Sequence, residues 1–414
     1  MRPRYHFTAR SGWINDPHGI TYRDGRYEVF FQYVPDSTIW GPNCHWGHAR
    51  GEDLFSLEEL PVALAPGDGD DGIWTGSLAL DDAGAATIFY TSTARPDLGM
   101  GRIRTATPVD DDWIEWRKGP IVAEAPADLD LVAYRDPFLR RDAATWRMFV
   151  GAALTDGTAA GLSYTSPDLA TWSYEGIAAS RSTHEREPIW TGALWECPQV
   201  VDVDGSSVLV SSVWDADALH YAAYGIGTYA DGSFRAEHWG RLTYGPSYYA
   251  PSFFRDAEGR PCLLFWMRGV SDVEAGWASA HSVPHVLTVT GDRTSAAPHP
   301  DLERYRAPEA SEGTPLGTAA DVVWDPQSDA ARLEVRSGGR VRMALTTSPG
   351  ELTLHSDAGP EAMPFEGGTV RLILDGPVAE VSTSSGLLGV ALAAPASDYV
   401  VQSSGGLLTA WPLR

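Results

Sequence analysis

Residues 13–19 read Trp13-Ile14-Asn15-Asp16-Pro17-His18-Gly19. An amide precedes the acid and a proline follows it. Proline fixes its own φ and restricts the residue before it, so Asp16 has few orientations open to it. Gly19, three places on, allows a sharp turn. Asp-Pro is also an ordinary turn dipeptide. The motif therefore gains meaning only if something like it recurs.

It recurs four times. Asn15-Asp16-Pro17, Trp74-Thr75-Gly76-Ser77, Arg135-Asp136-Pro137, Glu196-Cys197-Pro198 and Ala250-Pro251-Ser252 each place a polar, acidic or small residue at the entry to an apolar strand. Successive sites lie roughly 55 to 60 residues apart, room for one four-stranded unit. Between them run strand-like stretches at 27–33, 86–91, 147–152, 207–213 and 261–266. Turn signals such as Asp24-Gly25 and Asp204-Gly205 separate these stretches. Long helical periodicity is almost absent. The expected fold is all-β: a five-bladed propeller over residues 1–293, with the innermost strand of each blade lining a central pocket. An array of sandwiches without radial symmetry is the rival arrangement.

Residues 294–306 are small, polar and proline-bearing and read as a linker. Beyond it, short strands at 331–335, 341–345, 352–355, 370–374 and 387–393 suit a β-sandwich over 307–414. Fourteen of the 16 tryptophans precede residue 300, so the two parts differ in task. Indoles fill large β-cores and also stack against the apolar faces of sugar rings.

The net charge of −24 argues against nucleic acid and anionic membranes as partners, since both need positive surface. It accommodates a neutral small molecule. No run of eighteen apolar residues exists, and the N-terminus lacks the apolar core of a signal peptide. Three widely spaced cysteines, Cys44, Cys197 and Cys262, do not make a disulfide framework. The expected compartment is the cytoplasm. Cys44-His45-Trp46-Gly47-His48 resembles a metal site, but on a strand positions 45 and 48 face opposite sides. No metal is expected.

Asp16, Asp136 and Glu196 stand in register with the repeat and would converge on one pocket. Glycoside cleavage needs two carboxylates with different duties, one attacking or activating water and one protonating the departing oxygen. Glu196, between Trp195 and Cys197-Pro198, has the apolar setting that raises a carboxyl pKa. Asn15 can hydrogen-bond an ionised Asp16. If Arg135 reaches Asp136, that acid stays charged and suits sugar hydroxyls. Asp325-Pro326, outside the repeat, reads as a plain turn. Cys197 reads as a structural or tuning residue, not a thiol nucleophile.

The ordered set of motifs resembles glycoside hydrolase family 32, the invertase, levanase and inulinase group. Residues 13–19 look like its opening W-x-N-D-P-N-G. Phe31-Gln32-Tyr33, Trp40-Gly41-Pro42, Trp74-Thr75-Gly76-Ser77, Tyr134-Arg135-Asp136-Pro137 and Trp195-Glu196-Cys197-Pro198 look like later motifs, followed by Tyr249-Ala250-Pro251 and Trp266-Met267. The resemblance implies a propeller joined to a sandwich. It also implies retaining, exo-acting hydrolysis of β-D-fructofuranosides such as sucrose or short fructooligosaccharides. By position Asp16 would be the nucleophile, Glu196 the general acid/base and Asp136 the transition-state stabiliser. Sugar contacts would come from Asn15, Gln32, Trp40, Trp74, Thr75, Arg135, Tyr249 and Trp266, with no cofactor. A fructosyltransferase would share the same intermediate, and an inactive sugar-binding protein or a five-bladed arabinan-degrading enzyme would share the architecture. Three departures stand out: His18 for the second asparagine, Trp74-Thr75 for Phe-Ser, and His285 for an arginine. The first two are expected to bear on what sits beyond the terminal fructose.

Overall fold

The computed structural model describes all 414 residues, and its regular elements are 32 β-strands and one short 3-10 helix, Pro300–Tyr305. The first 298 residues form five antiparallel meanders. Their first strands are Gly12–Arg23, Gly72–Leu80, Leu131–Asp142, Leu194–Val203 and Tyr248–Arg255. Tight turns lead from the first strand to the second. Asp24 and Gly25 have φ of 49° and 79°, and Asp204 and Gly205 have 50° and 80°. Two successive positive φ values match the twist of a hairpin, which is why Asp-Gly stands at both places.

These five strands pack side by side in chain order, and the fifth packs against the first. The contact between the ends is hydrogen-bonded: Gly12 and Trp13 pair in parallel with Trp277 and Ala278 of the last meander. Gly12 makes this possible. Its φ is +82°, and a Cβ there would lie 2.3 Å from the Val34 carbonyl oxygen.

Two expectations need correction. Gly19 does not end a turn. Its strand continues to Arg23, and Gly19, at φ +59°, sits in a register shift between His18 and Thr21. Nor is 294–306 a linker. Arg293–Pro298 is a strand paired along its length with His285–Thr290. Thr294, Ala296 and Pro298 are buried in alternation, the period-two pattern of an outer strand that needs few large apolar residues. The 3-10 helix after it buries Leu302 with Tyr5, Phe55, Val283, Ala319, Ile373 and Leu413, tying the two parts of the chain together.

After residue 306 the chain forms a five-stranded and a six-stranded sheet, the latter borrowing Thr243–Tyr244 from the first part. The two sheets share a core of 24 buried residues, among them Leu333, Leu345, Leu372 and Tyr399. Trp324 is fully buried there, and its indole N–H donates to Ser403 Oγ of the opposite sheet at 3.0 Å. Trp324→Ala removes the largest core side chain of this region and the cross-sheet bond together. Chemical denaturation should show a loss of about 3 to 5 kcal/mol.

Candidate active site

Each of the five inner strands breaks register with its neighbour at one corresponding place. The extra residues fall at Asn15-Asp16, Thr75, Asp136-Pro137, Cys197-Pro198 and Ala250-Pro251. The repeated motif is thus a repeated β-bulge, a device that re-aims side chains. Asp136, Cys197 and Ala250 carry the left-handed φ of these bulges, at 64°, 50° and 46°. The bulges stack two tiers of residues around the axis. Asn15, Trp74, Arg135, Glu196 and Tyr249 form the first. Asp16, Thr75, Asp136, Cys197 and Ala250 form the second. Asp16 and Asp136 are therefore equivalent, whereas Glu196 stands one residue earlier.

The three acids are joined through a few shared partners. Asp16 Oδ2 accepts from Thr75 Oγ1 at 2.6 Å and from Gln32 Nε2 at 3.4 Å, and Oδ1 accepts from Asn15 Nδ2 at 3.0 Å. Gln32 also donates to Thr75 Oγ1. Asp136 Oδ2 accepts from the Cys197 backbone N–H at 3.0 Å, and the Cys197 sulfur lies 3.8 Å from both Asp16 and Asp136. Glu196 Oε1 accepts from Arg135 at 2.9 Å and Oε2 from the Tyr249 hydroxyl at 2.6 Å. The arginine expected beside Asp136 hydrogen-bonds to Glu196 instead, because the bulge sends adjacent residues 135 and 136 into different tiers.

Burial raises Asp16 to about 6, with the Glu196 charge adding to the rise and hydrogen bonds from Thr75 and Asn15 opposing it. Burial also pushes Asp136 up. Arg135 works against that, and the charges of Glu196 and Asp16 add to it. The Cys197 thiol is pushed well up by burial and by the same acids, so it is no thiolate nucleophile.

Aromatic side chains wall this cluster. Trp40, which is 45% exposed, meets Trp74 edge to face at 5.9 Å, and Trp74 donates to the Pro42 carbonyl at 2.8 Å. On the other side Trp13 and Tyr249 meet Trp266 at 5.7 and 6.1 Å. The indole N–H groups of Trp13 and Trp266 and the side-chain oxygen of Asn15 are buried without a partner. A bound polyol would supply those partners. All eleven side chains read from the sequence as site residues thus belong to one connected region.

Three contributors were not read there. Thr91 accepts from the Asp136 N–H and donates to the Thr75 carbonyl, both at 2.8 Å, so it pins two bulges. Trp13 lay in the opening motif without a role. Trp214 sits 5.9 Å from the Arg135 guanidinium, as Trp74 does. The sequence signal for it was a tryptophan at the end of a strand-like run, directly before Asp215-Ala216-Asp217.

Beyond the acids, a cavity of 310 Å³ continues down the axis, lined by His18, Ser77, Gln199, Ser252 and Arg140 among others. His18 is 1% exposed, lies tilted against Trp46 with ring centres 3.9 Å apart, and is held neutral by burial. It follows Asp16 down the strand, on the far side of the acids from Trp40. His48 is paired with Glu28 at 2.8 Å. Asp256, Cys262 and His299 have metal-ligating spacing, but Arg260 donates to Asp256 and lies 3.3 Å from His299 Nε2, where a metal ion's charge would sit.

The sequence model described as the Glycosyl hydrolases family 32 N-terminal domain matches residues 6–300. A sucrose-6-phosphate hydrolase of Zymomonas mobilis is 31% identical over 334 residues, which are 75% of this chain and 64% of that protein's length. A cell-wall β-fructofuranosidase isozyme of Zea mays is also 31% identical, over 75% of this chain and 57% of its own. Among solved structures, a Bombyx mori GH32 β-fructofuranosidase mutant in complex with sucrose superposes with a TM-score of 0.86 at 23% identity. The match covers all of this chain and 94% of that one, and at this identity it shows a common fold. The chain spans about two thirds or less of the length of the two relatives, and the match runs through every bulge that carries an acid: it belongs to glycosyl hydrolases family 32.

Proposed function

We propose that the chain is a retaining, exo-acting β-fructofuranosidase. It hydrolyses terminal non-reducing β-D-fructofuranosides, sucrose or short fructooligosaccharides, through a fructosyl-enzyme intermediate. The observation that carries this reading is the meeting of Asp16, Asp136 and Glu196 at bulges of three inner strands inside an indole-walled site. In this reading the five meanders are the blades of a five-bladed propeller ending at Pro298, and the two later sheets are a β-sandwich. The three free, buried cysteines fit a reducing, cytoplasmic setting.

Asp16 is the nucleophile. Its Oδ attacks the anomeric carbon while Glu196 gives a proton to the departing glycosidic oxygen, and the C–O bond to the leaving group breaks. Glu196 then takes a proton from water, which attacks the same carbon and frees Asp16. Arg135 and Tyr249 orient Glu196 through both of its oxygens. Buried Asp136 has few donors of its own, so sugar hydroxyls donating to it complete its hydrogen bonding as positive charge builds on the ring. Relatives include sucrose-6-phosphate hydrolases, but Arg135 and Arg268, beside this cluster, are committed. Arg135 holds Glu196, and Arg268 holds the carbonyls of Leu219 and His220. The proposed substrate is accordingly unphosphorylated.

A panel of sucrose, sucrose 6-phosphate, 1-kestose, levanbiose, inulin, levan and arabinan tests this, with products and first-released anomer identified. Sucrose and kestose should be cleaved with retention and should outrun the phosphate ester. Inverted product, or cleavage of arabinan alone, defeats the proposal. Asp16→Asn should lower kcat more than about 10³-fold while fructose still binds, measured by calorimetry.

The pH dependence has a definite sign. The nucleophile acts as carboxylate, so kcat/KM should fall below about pH 6, where Asp16 takes up a proton. Thr75→Val removes a donor that favours the charged form, so the acidic limb should move to higher pH. Thr75→Ser should restore it. Trp214 flanks the arginine that holds the proton donor, on the leaving-group side. Trp214→Ala should cost about 1 to 2 kcal/mol in kcat/KM for kestose and sucrose, and unequally between them. Inhibition by free fructose should stay as it was.

A further inference from the structure

The N-terminal segment, the last meander and the C-terminal sheets meet at a buried group of ionisable side chains. His6, Tyr248, His285, Asp375 and Glu380 are each 2% exposed or less. Asp375 is well supplied with donors. It accepts the backbone N–H groups of Arg4, Tyr5 and His6 and, at 2.8 Å, the His6 Nδ1 proton. That bond fixes the ring so that His6 Nε2 faces Glu380 Oε2 at 3.4 Å. His285 Nε2 lies 4.0 Å from the same oxygen.

Glu380 has no such supply. Neither of its oxygens makes a hydrogen bond of ordinary geometry. The same holds for both His285 nitrogens, His6 Nε2 and the Tyr248 hydroxyl. Arg371, whose charge reaches His285, is itself bound to Asp321. A buried carboxylate without a cation is costly.

We infer that a proton held on His6 is the cation that lets Glu380 be buried, and that it fastens the C-terminal sheets to the rest of the chain. Burial opposes a charge on His6, but Glu380 and Asp375 outweigh it and raise His6 to about 9. His285 is lowered to about 4 by burial, so it stays neutral and does not share the task. Tyr248, near Glu380, and Tyr5 and Tyr399, near Asp375, are all raised and stay uncharged through neutral pH. His6 binds its proton more tightly folded than unfolded. Its contribution is therefore complete below about pH 6.5 and fades as pH rises through about 9.

Thermal unfolding of the full chain between pH 6.5 and 9.5 tests this in wild type, His6→Asn and His285→Arg. At pH 6.5 wild type should melt about 4 °C above His6→Asn, and the gap should close by pH 9.5. His285→Arg, with a cation that does not titrate, should lose less of its Tm over the same range than wild type does. A gap that stays constant with pH would make His6 a packing residue only and overturn the inference. A His285→Arg profile as steep as wild type would overturn it too, and that comparison decides alone should His6→Asn not fold.

Discussion

A regular strand sends successive side chains to opposite faces, so strands around an axis present every second residue to the centre. Catalysis by neighbouring groups in the sequence needs more than that. The bulges relax the constraint in all five inner strands at one level. They let Asn15 bond Asp16, put Arg135 on Glu196 while Asp136 meets Cys197, and carry a proline within the distortion or directly after it in four of five strands. Proline has no N–H to lose from the ladder there, which suits a place where pairing has already lapsed. Local backbone irregularity and the chemistry of the site are one feature.

Much of this was legible because bulges leave marks in composition. An acid or amide before proline, repeated at blade-like intervals, exposed Asp16 and Asp136 directly. Glu196 was found through its own motif although it belongs to a different tier. What stayed hidden depends on neighbours far apart in the chain. Nothing around residue 135 says that its guanidinium will cross to Glu196 and not serve Asp136. Trp214 and Thr91 lie in second strands, where no motif marks them. The segment around Thr294 misled for the opposite reason: an outer strand with one wet face can be made of the small polar residues that also make linkers.

Two of the molecule's clusters of buried charge are solved differently. Around Asp16 three acids share a single arginine, and burial together with their mutual repulsion leaves Asp16 and Asp136 raised. Around Glu380 no ligand is needed, and the protonated His6 imidazole supplies the cation while His285 stays neutral. The net charge of −24 lies mostly on exposed acids and does not bear on either cluster.

The pairing of Gly12 and Trp13 with Trp277 and Ala278 also orders events during synthesis. On the ribosome, the strand that closes round Asp16 emerges some 260 residues after it, at a pace of about 5 to 20 residues per second. For many seconds the nascent chain holds the strand of Asp16 with one flank unpaired, open to wrong partners. The tight Asp24-Gly25 hairpin, formed from local residues alone, can shelter one side of that strand early. The other side waits for Trp277, so a truncated message yields a chain with its first acid and never its site.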